Sequence, residues 1–192
     1  MANTSATGGY LQPTNTVLDG ADLSDFIHDV IVGITGIDNT LVRPGFQENP
    51  PTRQDLLVDW CGFTILNRRP AAMPWTTQGD DDSSLSTNEL FDFIASFYGY
   101  NCMSYAAILR DGLQIPQNSE IMNEAGIAVI GATDIVYAPE LRNGRFFERA
   151  DLTVNMNRNL SRTYDILTIV GVEGTLYFED VATQEFNAGE TE

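Results

Sequence analysis

The clearest pattern of apolar and polar positions lies between Asn88 and Gly126. Phe91, Phe93, Ala95 and Phe97 alternate with Asp92, Ile94, Ser96 and Tyr98. A two-residue period predicts a strand over Asn88–Tyr98 with one aromatic face turned into a core. Gly99 ends it, and Cys102, Tyr105, Ala106, Leu109 and Leu113 then recur at helical spacing, with Arg110 and Asp111 facing away. Gly112 is costly late in a helix and marks fraying or a close contact. Pro116 opposes continuation. Asn118 is the expected cap of a short helix carrying Ile121, Met122 and Ala125, and Gly126 is its expected C′ residue. A strand followed by a helix that covers its aromatic face is the seed of a mixed layer.

Leu23, Phe26, Ile27, Val30, Ile31 and Ile34 form the cleanest amphipathic stripe, predicting a helix capped by Asp22 and ended by Gly33 and Gly36. Before it, Met1–Gly20 is polar and reads as an extended arm. After it come a short extended piece at Leu41–Pro44 and a loop over Gly45–Thr52 stiffened by Pro50 and Pro51. Gln54–Leu66 is a strand apolar on both faces, which suits a central strand or one covered by another chain. Arg68–Thr87 lacks periodicity, and Asp80, Asp81 and Asp82 read as a solvated hairpin tip rather than a calcium loop, because the Gly and distal Glu of such loops are missing.

Strands are predicted at Ile127–Ile130 and Ile135–Tyr137, broken by Gly131. Asn143-Gly144 between extended runs is a type I′ hairpin signal. In the long returning strand, Ala150, Leu152, Val154 and Met156 face one way and Arg149, Asp151, Thr153, Asn155 and Asn157 the other, with polar residues continuing through Arg158 and Arg162. That polar face suits either solvent or a covering protein. Ile166–Val172 reads as strand or helix, Thr175–Phe178 as a strand, and Val181–Glu192 as an acidic mobile tail. The expected organisation is an arm over 1–20, one α+β domain over 21–180, and a tail over 181–192.

Composition narrows the functional classes. The 192 residues carry a net charge of −17, and all ten basic residues are arginine. Such a chain repels nucleic acid rather than gripping phosphates. Arginine without lysine reads either as a compositional quirk of the source or as a sign that the few cations sit in specific ion pairs, such as pairs between subunits. Cys61 and Cys102 are expected as buried thiols. The N-terminus lacks the pattern of a leader peptide, and no apolar run is long enough for a membrane span. His28 is the single histidine and is expected on a polar helix face, without metal-ligand spacing around it. Phosphate loops, nucleophile elbows and triads are missing. Carboxylate pairs such as Asp55 with Asp59, or Glu89 with Asp92, are expected by chance among 27 acids and do not indicate catalysis. Arg68, Arg69 and Trp75 have the composition of an interface anchor.

Several stretches together resemble the neck or tail terminator proteins of tailed bacteriophages. They are Leu41-Val42-Arg43-Pro44, Pro50-Pro51-Thr52, Asp59-Trp60-Cys61-Gly62-Phe63, Ser96-Phe97-Tyr98-Gly99, Tyr105-Ala106-Ala107, Leu109-Arg110-Asp111-Gly112-Leu113-Gln114-Ile115-Pro116-Gln117-Asn118, and Arg149-Ala150-Asp151-Leu152-Thr153-Val154. The resemblance implies a mainly antiparallel sheet with helices on one face. It also implies a structural virion protein without enzymatic site or cofactor, assembled in the host cytoplasm. Six copies would form a ring that caps the tail tube, ends its polymerisation and joins it to the connector or stopper, with the tail sheath as a further candidate partner. DNA would pass through without specific binding. Arg68, Arg69, Trp75, Arg149, Arg158 and Arg162 are then expected at protein interfaces, and Asp80, Asp81 and Asp82 on the channel wall. The rival readings are another neck component, such as a connector, stopper or tail-completion protein, and an acidic hydrolase or metal-binding enzyme.

Overall fold

The strand with the aromatic face is the middle strand of the main sheet. The structure is a computed structural model that describes residues 3–47, 58–142, 144–167, 171–176 and 184–189. The fold is α+β. The chain forms α1 (Gly20–Thr35), β1 (Val42–Pro44), β2 (Trp60–Pro70), β3 (Trp75–Gln78), β4 (Ser83–Tyr98), α2 (Cys102–Gly112), α3 (Pro116–Glu124), β5 (Ile127–Ala132) and β6 (Val136–Tyr137). It continues with β7 (Glu140–Arg142), β8 (Arg145–Phe147), β9 (Arg149–Tyr164), β10 (Gly171–Leu176) and β11 (Gln184–Gly189). The main sheet runs β1-β2-β4-β9-β5, with β3 also pairing β4 and β6 also pairing β9; β7-β8 and β10-β11 are separate two-stranded sheets. The β1–β2 pair is parallel, whereas β2–β4, β5–β9, β6–β9, β7–β8 and β10–β11 are antiparallel.

By internal contacts the chain divides into two units, Val17–Pro74 with Ser86–Ser161, and Met1–Thr16 with Trp75–Leu85 and Arg162–Glu192. The first holds the core. Phe91, Phe93, Ala95 and Phe97 of β4, Cys61 and Phe63 of β2, and Ala150, Leu152, Val154 and Met156 of β9 face Leu23, Ile27 and Ile31 of α1, Ala106 and Leu109 of α2, and Met122 of α3. The two-residue and helical periods thus bury one sheet face under three helices. In the second unit the arm lies along the end of β9. Ser5 N donates to Asp165 O at 3.1 Å and Thr14 N to Thr163 O at 2.8 Å.

Several boundaries differ from the sequence reading. Asp19, not Asp22, caps α1, accepting from Gly20 N. Pro116 starts α3 rather than merely ending α2, since proline lacks only an amide that a first helical turn leaves unpaired. Asn118 serves the preceding helix, donating from Nδ2 to Gly112 O at 2.8 Å. Gly112 marks a close contact: a Cβ there would lie 2.3 Å from Ile34 Cγ2 of α1. Leu41 belongs to a 3-10 turn, Asn39–Leu41. β2 begins at Trp60 and extends to Pro70, and Gln54–Leu57 lie outside the described residues. The stretch expected to be irregular holds the end of β2, all of β3 and the start of β4. Gly131 lies in a bulge of β5 against β9, not at a break. In the expected mobile tail, Gln184–Gly189 pairs antiparallel with β10. The expected Asn-Gly turn falls between the register partners Arg142 and Arg145, with Gly144 at φ 75°; Asn143 lies outside the described residues.

Candidate interaction surfaces

The face of the main sheet turned away from the helices carries a groove of about 610 Å³. Alternation fixes its lining. Cys61, Phe63, Phe93 and Phe97 point into the core, so Trp60, Gly62, Thr64 and Leu66 of β2 and Ile94, Ser96 and Tyr98 of β4 point outward. The register sets Trp60 opposite Tyr98. Their rings stack with centroids 4.1 Å apart and planes 4° apart. Arg149, at the start of β9, lies over the Tyr98 ring with its guanidinium carbon 5.6 Å from the centroid. Its Nε donates to Asp151 Oδ1 at 2.7 Å and its Nη1 to Glu140 Oε1 at 2.6 Å. Burial would lower the Arg149 pKa, but these two carboxylates outweigh it and hold the guanidinium firmly charged. Arg43 and the exposed Phe46 close the other side. Aromatic rings held by arginine make a rigid, amphipathic contact surface.

A second arginine cluster closes one end of the core. Arg158 follows Met156 on the helix-facing side of β9 and is only 2% exposed. Its Nη2 donates to Glu89 Oε2 at 2.9 Å, and Nη1 donates to the carbonyl of Leu18, just before the α1 cap. Arg68 joins it through Nε to Glu89 Oε1 at 2.6 Å and Nη1 to Asp19 Oδ1 at 2.7 Å. A bulge puts Arg68 there. Leu66 pairs with Asp92 but Arg69 pairs with Leu90, so β2 carries one extra residue, and Asn67 adopts φ 52°. Without that extra residue Arg68 would fall on the groove side. The Arg68 contact holds the Asp19 carboxyl at about 2. Burial would raise Glu89, but hydrogen bonds from Arg68 and Arg158 together lower it.

The residues singled out in the sequence are therefore distributed rather than gathered. Arg68 and Arg158 meet at the core's end, Arg149 anchors the groove wall, and Arg69 is exposed beyond the bulge. Arg158 lies on the face opposite Arg149, which corrects its expected place on the outer polar face of β9. Trp75 starts β3 half exposed, and Arg162 is partly buried near the end of β9, both in the other unit. Asp80, Asp81 and Asp82 are exposed in the turn between β3 and β4, where Gly79 N donates to Asp82 O at 2.8 Å. The Trp60–Tyr98 stack escaped the sequence reading because cross-strand register is not a local signal.

Among the described residues no group of three or more His, Cys, Asp or Glu side chains is arranged to hold a metal ion. His28 bonds Asn39 O through Nε2 at 3.1 Å and Asp29 through Nδ1 at 3.0 Å. Burial would lower its pKa, but these two contacts raise it. Asp59 binds the amide and side chain of Asn101, the cap residue of α2. Glu89 and Asp92 are each held by other partners, Asp92 by Asn67 at 3.1 Å and Asn155 at 2.7 Å. Asp55 lies outside the described residues. Both cysteines are buried and free, and burial pushes the Cys61 thiol far up. No described helix is long and apolar enough to cross a membrane.

Three of the stretches that carried the sequence resemblance pair side by side in the main sheet, while Pro50-Pro51-Thr52 lies outside the described residues. Val42, Arg43 and Pro44 pair with Cys61, Gly62 and Phe63, and Trp60, Cys61 and Gly62 pair with Tyr98, Phe97 and Ser96. Residues 21–180 match the family model described as phage neck terminator protein. No curated protein matches the chain.

Proposed function

The chain belongs to the phage neck terminator protein family, and on that premise we propose that it is a structural, non-enzymatic component of the phage particle that acts as a ring. The ring, of about six copies, caps the tail tube, stops its growth and joins it to the connector or stopper above. The match over residues 21–180, which spans the whole core and the groove, carries this reading.

Physical features agree with the role. A ring subunit needs contact surfaces on several sides, and the groove with its Trp60–Tyr98–Arg149 stack is one of them. Arg69, Trp75 and Arg162 contribute to contacts, while Arg68 and Arg158 fix the sheet end from within. Asp80, Asp81 and Asp82 face the channel, where like charge lets DNA slide without adhering. The net charge of −17 serves the same end.

The test adds the purified chain to growing tail tubes and, separately, to portal complexes. Tubes that stop at bound chain support the terminator reading. Binding to portals with no effect on tubes would make the chain a connector or stopper instead.

A further inference from the structure

His28 joins two elements. It lies on α1, partly buried, and its ring reaches the 3-10 turn Asn39–Leu41 that leads into β1. Nε2 lies 3.1 Å from the carbonyl oxygen of Asn39, and Nδ1 lies 3.0 Å from Oδ1 of Asp29. A carbonyl and a carboxylate only accept, so each contact needs a proton on its ring nitrogen. A neutral imidazole carries one such proton and would leave one acceptor facing a lone pair. The imidazolium serves both contacts at once.

The turn held by His28 sets one side of the groove. Asp38 caps it, its Oδ1 accepting from Thr40 N at 2.9 Å and from Thr40 Oγ1 at 2.6 Å. Leu41 N donates to Asp38 O at 2.9 Å. Thr40 O in turn accepts from Arg43 Nε at 3.0 Å. Arg43 and Pro44 line the groove, and β1 pairs with Cys61–Phe63 of β2. A continuous series of contacts thus runs from the His28 ring to the groove wall. The charged groups on the packed elements are Asp25 and Asp29 of α1, with Asp38 and Arg43 on either side of the turn. From β2 the neighbour is the uncharged Phe63 ring, with its centroid 6.5 Å away. Burial disfavours the proton on His28, but Asp29, the Asn39 carbonyl and Asp25 favour it and prevail.

We propose that His28 is a proton-operated clamp: its protonation ties α1 to the turn before β1 and steadies the Arg43 side of the groove, and its deprotonation gives up one of the two contacts. The clamp acts within a single copy, whatever the copies assemble into. The folded chain holds this proton more tightly than the unfolded chain. The stability it adds is therefore full below the ordinary histidine value and is lost as pH rises through the raised one.

His28 is the single histidine, so the full chain gives one imidazole signal to follow by NMR from about pH 5.5 to about pH 8.5. Its midpoint should lie above 6.5, and the amides of Thr40 and Leu41 and the Nε–H of Arg43 should shift with the same midpoint. Asp29→Asn, at an exposed position, should move the His28 midpoint down toward 6.5 and leave the chain folded. Over the same range the melting temperature of the wild type should fall by more than that of His28→Gln, whose side chain does not titrate. If His28→Gln does not fold, the titration and Asp29→Asn decide. A His28 midpoint at or below 6.5 overturns the proposal. So does a raised midpoint that the Thr40, Leu41 and Arg43 signals do not follow, because the proton then leaves the turn untouched. A midpoint unmoved by Asp29→Asn also overturns it, since one of the two contacts then carries nothing.

Discussion

Arg158 donates to Glu89 at 2.9 Å on the helix-facing side of the sheet, inside the rim of the core. Its guanidinium carbon also lies 5.5 Å from the centre of the Phe91 ring. Removing one partner of a buried pair strands the other charge in a poor solvent, which costs about 3–5 kcal/mol. Arg68 still holds Glu89 Oε1 at 2.6 Å. Arg158→Met should therefore lower the free energy of unfolding by less than that, about 1.5–3 kcal/mol, the worth of a hydrogen bond to a charged group, read from denaturant midpoints. Arg158→Met with Glu89→Leu should recover a large part of it, because no uncompensated charge then remains. A single Arg158→Met as stable as wild type would show that the pair carries no structural weight.

The same cluster sets an acid limb. The Asp19 carboxyl is moved from 3.8 to about 2, and Glu89 is also lowered. Both groups bind protons less readily folded than unfolded, so stability rises with pH through this range. Their contribution is full above about pH 5, where both carboxyls ionise even in the unfolded chain, and is lost as pH falls toward 2. Thermal melts across that window should show the decline. Asp19→Asn should lower the midpoint at neutral pH and flatten the decline, because one of its sources is gone.

Gly112 gives a prediction against helix propensity. Alanine is favoured over glycine in a helix by about 1 kcal/mol. Here the added methyl would stand 2.3 Å from Ile34 Cγ2. Overpacking of this kind costs about 1–3 kcal/mol, so Gly112→Ala should destabilise. Adding Ile34→Ala should cost less than the two single changes summed, a coupling that a double-mutant cycle measures directly.

The Trp60–Tyr98 stack can be separated from the fold. Both rings lie on the outer face, away from the core. Trp60→Ala should reduce stability only by about 0.5–1.5 kcal/mol, the worth of an aromatic pair. If the groove is a contact surface, assembly or tube binding should fall far more than stability does. Assembly unchanged by Trp60→Ala would remove the groove from the contact set.

These cases also mark what the sequence discloses. Period-two and helical spacing locate β4, α1 and α2 because each element buries one face, and Phe91–Phe97 and Leu23–Ile31 report that burial residue by residue. The Asn-Gly turn is equally local. What escaped depends on distant partners. Arg68 reaches Glu89 only through the bulge at Asn67, and a one-residue insertion reverses every later side chain. Asp19 rather than Asp22 caps α1, and both residue types are equally suited to a cap. Arg158 continues the inward row of β9, yet its charge suggested the outward one. The span 184–189 looked like a tail because its residues are polar, whereas pairing with β10 is a property of the backbone.

The central claim is assembly into a ring, and the native mass of the purified chain tests it most directly. Light scattering after size exclusion, followed by negative-stain imaging of the same peak, gives both mass and shape. The account predicts about six copies of the 21.2 kDa chain around a central hole, formed alone or on tail tubes. A chain that stays monomeric at every concentration and leaves tail tubes uncapped would contradict it.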